Sequence, residues 1–141
     1  MRRGMTRIMS IIGTGRRASI GLMLAAMLAL APVNAHADSF QNGLMRLAEI
    51  LGSIHHLRNI CGANDGPLWR NKMIDMMNAA DLTPPDRKKI ITHFNDAYYS
   101  ARTHYPDCSN DAARKANQLF NEGYRLAKQL SSDRKSSASL F

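Results

Sequence analysis

The side chains with most chemistry to offer beyond position 37 are four histidines, a cluster of methionines and two cysteines. His93 and His104 stand eleven residues apart, about 16 Å along a helix and too far to share one metal ion. His55 and His56 are adjacent; on a helical projection His55 falls at the edge of its segment's apolar stripe and His56 nearly opposite it, so both read as solvated or cap-associated groups. Met73, Met76 and Met77 carry the soft sulfur that suits cuprous copper. They share a helical face with Trp69, however, which is the pattern of packed core. No ligand spacing demands a metal, no C-x-x-C-H motif offers covalent haem, and the expectation is a protein with no metal centre and no cofactor. Copper carriage by the methionines is kept as an alternative.

Nucleophilic hydrolysis finds no support, because Ser39, Ser53 and Ser109 sit in no nucleophile-elbow context. The carboxylates fall at caps, turns and solvent faces, without a pair spaced to flank a bond. No catalytic residue is assigned, and the chain is expected not to be an enzyme; an unrecognised site would need two titratable groups in one concave pocket. Arg58 stands apart, since the projection puts it within about 35° of the centre of the buried face of its helix. A buried guanidinium needs partners: either a carboxylate such as Asp65 or Asp107 and helix-terminal carbonyls, or a ligand. In the second case Arg58, Trp69, Arg70 and Asn95 form the candidate binding surface, suited to an anionic or peptide ligand.

These residues are positioned by a short exported chain. Arg2, Arg3, Arg7, Arg16 and Arg17 precede an uncharged run from Ala18 to Ala31, then Pro32 and Ala35-His36-Ala37. That is the order of a secretory signal peptide, residues 1–37, cleaved before Asp38. The apolar run is too short for a membrane span, which needs roughly 20 residues, and the context of Arg16-Arg17 favours the general secretion route over a twin-arginine one. Five of the nineteen basic residues leave with the signal and none of the eleven acidic ones do, so a charge of about +3 remains. The pI near 10 thus belongs mostly to the targeting segment, and nucleic acid is not an expected partner. A periplasmic location, with no stable membrane insertion after cleavage, follows. There two well-separated cysteines, Cys61 and Cys108, are expected to pair as a disulfide.

The fold class expected is all-α, a small antiparallel (up-down-up-down) four-helix bundle stapled by that one disulfide, over residues 38–130. Phe40, Leu44, Leu47, Leu51 and Ile54 mark the first helix, which ends near Cys61 with Gly62 as C-terminal cap. The turn Asn64-Asp65-Gly66-Pro67 leads into a second helix from about Leu68 to Ala80. Thr83-Pro84-Pro85-Asp86 starts the third, which buries Ile90, Ile91, Phe94, Ala97, Tyr98 and Ala101 and stops before Pro106. Ser109 or Asp107 caps the fourth, with Ala112, Ala116, Leu119, Phe120, Gly123 and Ala127 inward. In such a bundle the end of the first helix and the start of the fourth lie together, which is where the cysteines sit. Residues 131–141, polar and serine-rich, are expected to be a disordered tail.

Leu57-Arg58-x-x-Cys61-Gly62, Trp69-Arg70-x-x-Met73, Phe94-Asn95-x-x-Tyr98, Tyr105-x-x-Cys108 and Gly123-Tyr124-Arg125-Leu126-Ala127, in this order, resemble an uncharacterised alphaproteobacterial exported family with two well-separated cysteines, a domain of unknown function. The resemblance covers about Leu51 to Leu130. It implies export and the disulfide, and supplies no activity. The expectation reached by elimination is a non-catalytic periplasmic binding or accessory protein of the cell envelope, its partner an envelope protein or peptide. A small-ligand or metal carrier is the alternative, and an enzyme the second alternative.

Overall fold

The computed structural model describes residues 34–139; the segment read as a signal peptide lies, up to residue 33, outside them. Four helices and no strand occur among the described residues: α1 (Asn34–Ile60), α2 (Leu68–Ala79), α3 (Pro84–His104) and α4 (Asn110–Ala138). Their ends are written in the local sequence. Gly62 takes φ +78°, its N–H donates to Asn59 O and that of Ala63 to Arg58 O, a Schellman ending that needs the left-handed residue glycine supplies. Thr83 accepts from the Asp86 N–H, with proline at the first helical position. Ser109 Oγ accepts from the Ala112 N–H at 3.1 Å, which caps α4.

The bundle runs up, down, up, down, with α1 at its centre. Leu44 and Ile90 share one core cluster, and His56 bonds to Tyr105 O further along both helices, so α3 is parallel to α1. A side chain at Gly43 would meet Leu130 and one at Gly123 would meet Ile50, while Ala112 packs with Ile54 and Leu57; α4 is therefore antiparallel to α1. The closest approach is at Gly52, where any Cβ would collide with the Phe94 carbonyl, so glycine is what lets α1 and α3 touch backbone to backbone. Cys61 and Cys108 are bridged, with Cα atoms 4.9 Å apart across 47 residues of chain. The bridge ties the end of α1 to the start of α4. Closing a loop of that length contributes about 4 kcal/mol by chain entropy, as an upper figure.

The structure corrects several expectations, the first because a helix with neighbours on several sides buries more than one stripe. His56 is not on a solvent face but 5% exposed, because α3 covers the side of α1 opposite the apolar stripe; its Nε2 lies 2.8 Å from Tyr105 O and its ring meets Tyr98 edge-on. Arg58 is not buried: its side chain is 43% exposed, because it turns out from the last turn of α1 to pair with Asp65 in the loop that follows. Ile91 is exposed, on the flank of α3 turned away from α1. Residues 131–138 are helical and continue α4 rather than forming an aperiodic tail. Ser132 and Ser136 donate their hydroxyls to the carbonyls four residues earlier, at 3.1 and 3.2 Å, so these two serines are satisfied within the helix.

Candidate functional site

Both α2 and α4 lean on α1, but they have no backbone contact with each other. Between them lies a cleft of about 530 Å³, within the roughly 300–1,000 Å³ of small-molecule sites. Leu44, Leu47, Ile50, Leu51 and Ile54 of α1 form its floor, Leu68, Trp69 and Met76 one wall, and Phe120, Tyr124, Ala127 and Leu130 the other. Phe120 and Tyr124 are 53% and 67% exposed, although Phe120 continues the inward stripe of α4. They are exposed because α2 and α4 have no backbone contact with each other, so both rings face the open cleft.

The cleft has one closed end. There the Trp69 and Phe120 rings meet edge to face, centroids 6.3 Å apart, and join the two walls. Trp69 is held from behind: its Nε1 donates to Asp65 Oδ2 at 2.8 Å, and the Arg58 guanidinium lies 5.8 Å from the ring centroid while pairing with the same Asp65 through Nε and, at 3.1 Å, through Nη2. The Arg58 hydrogen bond, with Trp69 second, holds the Asp65 carboxyl below the usual carboxylate range, and Asp65 in turn pushes the guanidinium pKa up. At the far end, Phe40 and Leu130 give way to Ser131 and Arg134.

Of the four residues singled out from sequence, Trp69 lines the cleft and Arg58 backs it through Asp65, one of the two carboxylates, with Asp107, that the structural reading of Arg58 offered. Arg70 is exposed and faces His55, whose imidazole pKa is lowered by burial first, then by Arg70 and His56. Asn95 is exposed on α3 and takes no part in the cleft; the residues between it and α2 belong to the packed face of α1. Lys72, Phe120, Tyr124 and Arg134 were missed as site residues. The sequence held no signal for them beyond the apolar stripe of α4 that carries Phe120. Met73 and Met77 are buried among Leu44, Leu51 and Ile90, and Met76 lines the cleft. Among the described residues no three of histidine, cysteine, aspartate and glutamate are grouped to hold a metal ion, and no helix is long and apolar enough to cross a membrane.

A second concave surface, between α1 and α3, is polar. Arg46 bridges Glu122 at 2.8 Å and Glu49 at 3.0 Å, and Glu49 meets His93 Nδ1 at 2.9 Å, so one chain of charges straps α4, α1 and α3 together. Arg46, Glu49 and His93 of this surface are thus engaged with one another or with Glu122.

The fold and the cleft define a disulfide-stapled, all-α four-helix domain with an open apolar site between two of its helices. Residues 39–133 match the family described as a protein of unknown function, DUF2385, and the chain belongs to that family. No curated protein and no solved structure matches the chain.

Proposed function

We propose that the protein is an exported, non-catalytic binding protein of the cell envelope that holds the apolar tail of a single-chain amphiphile in the cleft between α2 and α4. The observation that carries this reading is the cleft itself: a continuous apolar surface, walled by half-exposed aromatic rings and closed at one end. Leaving such a surface in water is unfavourable by about 25 cal/mol for each Å² that a ligand would cover. The closed end favours a chain inserted lengthwise over a partner helix, which is about 10 Å wide and has to lie along the groove. Placement in an alphaproteobacterial periplasm, with a signal cleaved after Ala37, belongs to the same proposal. It rests on the arginine-rich N-terminus, the Ala35-His36-Ala37 sequence and the disulfide.

Native mass spectrometry of the protein purified from its own cells, with a denatured run beside it, tests the reading. The expected result is a chain beginning at Asp38, two hydrogens lighter than its reduced form, carrying one lipid-like species that denaturation releases. A chain that retains residues 1–37, or one that carries nothing and takes up no added amphiphile, overturns it.

A further inference from the structure

We infer that the amphiphile has an anionic head group, received by Arg134 at the open end of the cleft; this rests on the cleft being an amphiphile site. Lys72 and Arg134 are the charged residues of the lining, both are cations, and no acidic residue joins them there. Neither has an ion-pair partner among the described residues, although six other ion pairs occur on the same small molecule. Cations beside an apolar cleft can serve only to cover it with their stems. Their heads here are uncompensated, however, and Arg134 stands where the apolar lining ends, next to the Ser131 hydroxyl. A chain inserted tail first, toward the Trp69 and Phe120 rings, brings its head group to that end. There the planar fork of an arginine suits a carboxylate or phosphate; Lys72, one turn from Trp69 on α2, stands at the tail end of the inserted chain.

The test is calorimetric titration of the purified, disulfide-bonded protein with three amphiphiles that share one tail: dodecanoate, dodecanol and dodecyltrimethylammonium. The expected result is one dodecanoate per chain, bound at least about ten-fold tighter than dodecanol, as a charge-assisted hydrogen bond to a carboxylate allows, with the cationic amphiphile weakest. The Arg134→Gln variant is expected to bring dodecanoate binding down to the level of dodecanol, whereas Lys72→Gln, at the tail end, is expected to keep the preference. Equal binding of dodecanoate and dodecanol, or a preference that survives Arg134→Gln, overturns the head-group assignment and leaves the apolar site standing. Binding of none of the three overturns both, and leaves the groove to a protein segment.

Discussion

Asp65 accepts from both Arg58 and Trp69, so one carboxylate sets the position of the ring that closes the cleft. Replacing it by asparagine is expected to free Trp69, red-shift and broaden its fluorescence, and weaken amphiphile binding. The fluorescence reads cleanly because Trp69 is the chain's one tryptophan. The pH dependence has a definite sign. A carboxyl whose folded-state pKa is depressed, first by Arg58 and then by Trp69, stabilises the fold at pH values above its unfolded pKa, about 3.9. That contribution is lost as pH falls through the folded value. The difference in Tm between the protein and Asp65→Asn should therefore be constant near neutrality and shrink below about pH 4; a difference that does not change with pH contradicts the assignment. Phe120 and Leu57 make a complementary pair. Phe120→Ala removes a half-exposed ring from the cleft and should weaken ligand binding with little change in denaturation midpoint. Leu57→Ala empties a site 1% exposed and should cost about 2–5 kcal/mol in chemical denaturation.

At the scale of the helices, caps and stripes were legible because they are local. Gly62, the Thr83-Pro84 pair and Ser109 each end or begin a helix through groups within five residues, and the structure places all three as the sequence suggests. What a stripe cannot tell is how many neighbours its helix has. His56 looked solvated because α1 was read as having one buried face, and α3 covers the other; Phe120 looked buried because a stripe does not state whether anything opposes it. The candidate site suffered more than the fold, since a cleft is defined by the place where packing stops. Gly52 is the residue on which the α1 to α3 contact turns. Gly52→Ala would drive a methyl group into the backbone of Phe94 and, by the usual cost of overpacking, should destabilise by about 1–3 kcal/mol or force α3 away. Thermal denaturation checks the first and loss of the His56 to Tyr105 hydrogen bond, seen in the imidazole nitrogen shifts, checks the second. Gly62→Ala is the control at a φ of +78° with open space around it; its cost, about 1 kcal/mol, is conformational alone.

For the whole molecule, the disulfide and the cleft are linked through the Trp69 to Phe120 contact. Cys61 and Cys108 hold the ends of α1 and α4 together, and α4 otherwise touches α1 alone among the helices' backbones. Cys61→Ser with Cys108→Ser should lower stability by up to about 4 kcal/mol, a large share of what a domain of this size has, and should loosen the start of α4 before the rest. Faster amide exchange in residues 110–120 than in α1 and α3 checks that order of release. The cleft's walls belong to α2 and α4, the two helices that pack least with their neighbours, so a ligand that bridges them should raise the Tm of the oxidised protein more than that of the double serine variant.

The account stands or falls on occupancy of the cleft, and intermolecular nuclear Overhauser contacts from dodecanoate to the isotope-labelled protein test this most directly. The prediction is contacts from the chain terminus to the Trp69 and Phe120 rings and from the chain's middle to Leu47 and Tyr124. Contacts confined to Ile91 and Tyr99 on the outer face of α3, or a complex with no contact to Trp69, would contradict it.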